Sequence, residues 1–203
     1  FYTMANHGQW SIVAVPSFAW AKKVFPELEE QAALDALWDA VLAGVRIGSH
    51  RDAVAEWRGH IANLAENSRR LNAYHFESLH FQNCLGTDLL VGLAKGHVWE
   101  GVSSRADNDA VFVPNMPTEE VFTAPDKYRV NGRVYATKPL NYQGKMIHNF
   151  WFVFQDGKVC EYGAESGEDV LKNLVEFDAG SAYLGEVALV PDDSPISRSG
   201  LLF

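Results

Sequence analysis

The hydrophobic period of the chain changes near Asn72, and that change limits what each part can fold into. In ELEEQAALDALWDAVLAGVRIG, Leu34, Leu37, Trp38, Val41 and Val45 fall at helical spacing, acids crowd the first turn, and Gly48 follows the last apolar residues. The spacing predicts an amphipathic helix closed at Gly48. Between Asp52 and Leu71 the pattern returns with Val54, Trp57, Ile61 and Leu64, which predicts a second helix. Upstream, QWSIVAVP is a short apolar run ended by Pro16 and reads as a buried strand.

After Asn72 the runs shorten and become β-prone. LHFQNC, TDLLVGLA and HVWEGV read as strands separated by polar or glycine breaks. Asn131-Gly132 between YRV and RVYAT, and Asp156-Gly157 between NFWFVF and KVCEY, are hairpin signals. Ser166-Gly167-Glu168-Asp169 reads as a capping box opening a helix that buries Val170, Leu171, Leu174 and Val175. LGEVALVP reads as a last strand. The expected fold class is α/β (α+β): a helix-rich end of an N-terminal α/β domain over 1–72, then a strand-rich, mixed-sheet portion over 73–203.

Composition narrows the function. With 203 residues, 47% hydrophobic and 21% charged, the chain can bury a core of its own. A net charge of -9 and a pI near 5.2 leave no basic stripe for nucleic acid or an anionic membrane surface. No apolar run is long enough to span a bilayer. Cys84 and Cys160 are too few for a disulfide framework, which suits a reducing, cytoplasmic setting. Small molecules, peptides or metal ions are the partners this charge balance admits.

The usual signatures of dinucleotide, phosphoryl-transfer and serine-hydrolase sites are missing, as are HExxH and a CxxC pair. The seven histidines form no metal-binding pair on one helical face; His75, His80 and His148 read as surface or hydrogen-bonded residues. The carboxylates stand out instead. In PNMPTEEVFTAP, Glu119 and Glu120 precede Val121 and Phe122, and on an extended segment at least one of the two acids faces apolar company. A buried charge needs a cation or a metal beside it. Glu186, in LGEVALVP, is a second acid in an apolar frame, and two such acids can converge on a divalent cation.

WSIVAVPSFAWAKKVFP, GTDLLVGL, PTEEVFTAP, KPLNYQGKMI and YLGEVALVPDDSPISRSGLLF occur in one order along the chain, and with them it resembles the thermophilic aminopeptidase family, the aminopeptidase T, aminopeptidase S and PepS type of metallopeptidase. The resemblance implies a cytoplasmic, dimeric hydrolase that removes N-terminal residues from peptides with two divalent ions, zinc or cobalt, with magnesium or manganese as alternatives. It implies that a glutamate of PTEEVFT and the glutamate of GEVALVP are metal ligands. The second carries over to Glu186; for the first, Glu120 is the choice, with Glu119 as the alternative ligand and the candidate for catalytic proton transfer.

Family members are about twice this length. The chain resembles their middle, and the further ligands, in a DEN-type segment with a histidine and in a His-x-Asp segment, would lie beyond GLLF. HVWEGV departs from the family's Trp-x-Gly-Gly at Val102. The expectation is a fragment of a dinuclear aminopeptidase; the alternative is a non-catalytic dimerisation or peptide-binding module that retains the fold.

Overall fold

The computed structural model describes residues 5–49, 52–101 and 103–202. Val102 lies outside the described residues. The chain forms two units, and neither is contiguous: the first comprises residues 1–70, 100–121 and 188–203, the second residues 71–99 and 122–187. The α/β class expected from the sequence is what the chain adopts.

The first unit is built on helices. α1 (Phe18–Val24) starts at Ser17, whose hydroxyl accepts from the Trp20 N–H. α2 (Glu30–Gly44) packs against it through Ala21, Ala33, Leu37 and Val41, with Trp20, Val24 and Leu34 closing the cluster. α3 (Ala53–Tyr74) starts after Asp52, whose carboxylate accepts from the Val54 and Ala55 amides, and its last turn belongs to the second unit. Both predicted helices are present, but the first ends at Gly44 and is not closed by Gly48. The buried stripe of α3 is Trp57, His60, Leu64 and Ser68, while Val54 is exposed, so the inward face is rotated from the one the sequence pattern gives.

The expected buried strand in QWSIVAVP is a correction. Only Ile12–Val13 is extended, pairing in parallel with Asn115–Met116, and Ile12, Val13 and Val15 are all exposed. Apolar composition alone cannot distinguish a covered strand from one with an open face.

The second unit is organised by a five-stranded antiparallel sheet in which each strand pairs with the next: β1 (Ser78–Gln82), β2 (Asp88–Leu93), β3 (Pro125–Tyr135), β4 (Trp151–Gln155) and β5 (Lys158–Gly163). Asp156-Gly157 is the hairpin turn between β4 and β5, both residues with positive φ as the two-residue turn requires. Asn131-Gly132 is not a turn. It lies inside β3, where Gly132 pairs with Leu89 on one side and Phe154 on the other. Its φ of +116° and the close approach of the Asp88 carbonyl explain the glycine: a bend within a strand, not a reversal of the chain. The Asn131 side chain accepts from the Asp156 amide and so serves the neighbouring hairpin.

Between β3 and β4, Leu140–Tyr142 and Lys145–Ile147 form a further hairpin around Gln143-Gly144. α4 (Glu168–Val175) buries Val170, Leu171 and Val175, and Val170 and Leu171 pack with Ile147. Its cap is not the expected Ser166 box. Gly167, with φ +78°, holds the N-cap position and makes no side-chain cap. Of HVWEGV, the described residues 97–101 do not form a strand: Trp99 is buried, and the Asn72 side chain both accepts from its N–H and donates to its C=O, replacing a ladder partner.

Candidate metal-ligand segment and the cluster around Glu119

Thr118, Glu119 and Glu120 follow a cis Met116–Pro117 bond and lead into a short strand, Val121–Thr123. Glu119 is 6% exposed and Glu120 is half-buried. The acid facing inward is therefore Glu119. Its two carboxylate oxygens accept from Nη1 and Nη2 of Arg46, the Nη2–Oε2 contact being 2.8 Å. The planar fork of a guanidinium matches the two oxygens of a carboxylate, and this arrangement fixes the carboxylate plane as well as its charge. The sequence calls for a cation or a metal beside an embedded acid; for Glu119, the buried one, the partner is the Arg46 guanidinium.

Arg46 reaches this place from an unusual backbone position. At the end of α2, the Arg46 N–H donates to the Ala43 carbonyl and the Ile47 N–H to the Leu42 carbonyl, the paired bonds of a Schellman ending. That ending puts Arg46 at φ +59°, a conformation glycine favours and a side chain resists. A non-glycine residue there costs on the order of 1 kcal/mol. What the side chain does next gives the position its meaning.

α3 supplies the other half of the clamp. His60 Nε2 lies 2.7 Å from the Thr118 carbonyl oxygen and 3.8 Å from Glu119 Oε1. Because a carbonyl only accepts, Nε2 carries the proton and donates it. Trp57 packs edge-on against His60 with centroids 5.5 Å apart, and its Nε1–H donates to the Val45 carbonyl at 2.7 Å. One face of α3 thus holds the turn that carries Arg46 and the residue before Glu119.

The cluster opens into a cleft of about 740 Å³ whose lining includes Arg46, His60, Asn63, Asn67, Glu119 and Ser194. Ser194 is held as the N-cap of α5 (Pro195–Ser199), its hydroxyl accepting from the Ser197 amide. On the rim, Glu66 is pulled down from the usual 4.5 to about 2 by its hydrogen bonds to Arg69 and then Arg70.

Glu186 is exposed and immediately precedes the strand Val187–Leu189. It belongs to the second unit, whereas Glu119 and Glu120 belong to the first. Among the described residues, no three His, Cys, Asp or Glu side chains form a group that could hold an ion by themselves. In kind, the acids of the two motifs fit a divalent cation, since carboxylate oxygen is a suitable donor. Both oxygens of Glu119 accept from Arg46, so a cation at Glu119 would have to displace that guanidinium.

Sequence reasoning missed Arg46 and His60. One signal was present, a histidine three residues after Trp57 and four before Leu64, within an apolar stripe; Arg46 stands out only once α2 is seen to end at Gly44 instead of Gly48.

Comparison with known proteins bears on the same segments. The family profile Peptidase_M29, described as thermophilic metalloprotease (M29), matches residues 2–203. The chain is 46% identical over 202 residues to aminopeptidase AmpS of Bacillus subtilis (strain 168), covering 100% of this chain and 49% of that protein. It is 46% identical over 194 residues to aminopeptidase T of Thermus aquaticus, covering 96% and 47%. The structure of wild-type AmpT from Thermus thermophilus superposes with a TM-score of 0.90 at 41% identity, over 100% of this chain and 49% of that one. The chain spans about half the length of the curated relatives it matches. With a profile that covers nearly every residue and a shared fold at this identity, the chain belongs to the thermophilic metalloprotease (M29) family.

Proposed function

We propose that this chain is the part of a longer metal-dependent aminopeptidase that carries its first metal ligands, and that the whole enzyme hydrolyses N-terminal residues from peptides. The observation that supports this most is the match of residues 2–203 to a metalloprotease family whose relatives are named aminopeptidases. In this proposal the enzyme works in the cytoplasm as a homodimer. The boundary near residue 72 then separates two domains of the whole enzyme, 1–72 ending the first and 73–203 beginning the catalytic one; it is a different division from the two interleaved units described above.

Glu120 and Glu186 are the residues proposed to hold metal. Two divalent cations, zinc or cobalt before magnesium or manganese, would supply Lewis-acid activation of a water and of the scissile carbonyl when bound. The chain's own contribution is to present these carboxylates from the starts of two short strands. Glu119 enters the proposal as a carboxylate for proton transfer. Both of its oxygens accept from Arg46, so it would serve in that role only with Arg46 displaced, and the geometry favours a different role for it, developed below.

The test is release of an aminoacyl chromophore by the full-length protein with Glu120→Gln and Glu186→Gln, each with zinc or cobalt supplied. Each substitution is expected to lower turnover by more than about 100-fold, beyond the loss typical of groups that only support a ligand. Turnover retained by both variants would remove these carboxylates from the metal site. A full-length protein with no peptidase activity under any metal would favour a binding or dimerisation module instead.

A further inference from the structure

The bidentate pair of Arg46 and Glu119 is out of proportion to what it contributes to folding. Buried ion pairs can often be replaced by packed apolar residues at little cost, so such a pair is weak evidence for stability. Here the arginine also occupies a left-handed backbone position where glycine would be easier, and it forks onto a carboxylate 73 positions away. A second tether, from His60, holds the carbonyl of Thr118. Two consecutive residues are thus fixed through different groups, one by its carbonyl and one by its side chain. The next residue is Glu120.

We infer that Arg46 and His60 are positioning residues, which fix Thr118 and Glu119 so that Glu120 presents its carboxylate to a divalent cation; this rests on the reading of Glu120 as a metal ligand. Adjacent Cα atoms across a trans peptide are about 3.8 Å apart, so a rotation of the Glu119 backbone carries the Glu120 side chain with it. The fork resists that rotation because it satisfies both oxygens in one plane. His60 resists it at the preceding peptide, and Trp57 holds His60 and the Arg46 turn to the same helix face. Groups that orient a metal ligand typically change affinity by about 10- to 100-fold when removed.

The experiment uses the full-length protein and cobalt(II), with affinity measured by chelator competition and by the cobalt absorption bands, beside thermal melting of the metal-free protein. The key variant is Arg46→Met with Glu119→Leu, which removes both charges and keeps the site filled. It is expected to melt close to the parent yet to bind cobalt about 10- to 100-fold more weakly, with altered bands. Arg46→Lys keeps the charge without the fork and is expected to fall between the two. Glu120→Gln serves as the reference and is expected to abolish binding at the same site.

Affinity in the double variant within about twofold of the parent, while Glu120→Gln loses it, overturns the positioning role and leaves the ligand assignment standing. Unchanged affinity in Glu120→Gln overturns the ligand assignment, and the positioning role with it. If the double variant does not fold, the same comparison is read from Arg46→Lys: parental affinity and bands there reject the role, and weakened binding in a folded protein supports it.

Discussion

Arg46 and Glu119, 73 positions apart in the chain, meet through two parallel hydrogen bonds, with the Glu119 side chain 5% exposed and the Arg46 side chain 15% exposed. Removing one partner leaves the other charge uncompensated. Arg46→Ala is expected to lower stability by about 3–5 kcal/mol, measured by urea unfolding of the metal-free protein. Replacing both residues by apolar ones of similar volume should cost much less. A loss below about 1 kcal/mol for the single variant would mean that Glu119 is hydrated in solution.

Gly132 carries a strong steric expectation. A Cβ built there would lie 2.1 Å from the Asp88 carbonyl oxygen, and the φ of +116° is one that side chains rarely adopt. Neither problem is relieved by rotating a neighbouring side chain, because the obstacle is backbone. Gly132→Ala is expected to destabilise the protein by on the order of 3 kcal/mol and to shift the unfolding midpoint without changing the fold. A midpoint within error of the parent would show that β3 does not hold this bend.

Residues 1–203 by themselves are expected to show no appreciable aminopeptidase turnover. Two carboxylates are fewer than the ligands that two cations require, and among the described residues no three-ligand group exists. The comparison is release of an aminoacyl chromophore by 1–203, with zinc or cobalt added, against the same chain extended downstream. Equal rates would end the ligand scheme proposed here.

Glu66 gives a pH dependence with a definite sign. Its carboxyl is held at about 2, below the ordinary 4.5, by hydrogen bonds to Arg69 and Arg70. A depressed folded-state value means that its contribution is present above 4.5 and lost as pH falls through about 2. The pair is exposed, so the effect is small and weakens with salt. The melting advantage of the parent over Glu66→Gln should be constant above about pH 5 and shrink toward zero near pH 2. An advantage that persists at the acid end would assign it to packing instead of charge.

Local features of the fold were legible, and distant pairings were not. α2 and α3 follow from a helical period, and Asp156-Gly157 from a two-residue turn with positive φ at both positions. Asn131-Gly132 carries the same dipeptide signature, but its flanks pair outward with β2 and β4 instead of with each other. No local rule distinguishes those cases. The embedded acid was visible in PTEEVF as a charge among apolar residues. Arg46 was not visible as its partner, because an ion pair across 73 positions leaves no spacing to read. His60 was hidden by a one-residue rotation of the α3 stripe: Trp57, Ile61 and Leu64 fit a helical face as well as Trp57, His60 and Leu64 do.

The interleaving of the two units affects how the protein can be taken apart. A cut after residue 72, where the hydrophobic period changes, falls inside the last turn of α3 and would separate the helix-rich portion from the strand-rich one. The resulting 73–203 piece would keep Glu119 and Glu120 but discard Arg46, Trp57 and His60, all of which precede the cut. The same holds during synthesis: the arginine and the histidine leave the ribosome before the segment they grip and wait without it until residue 119 follows. Dissection that preserves the acidic segment in its folded setting must therefore keep α2 and α3, and a fusion or a protease site between them and residue 119 is tolerable only if both products stay associated.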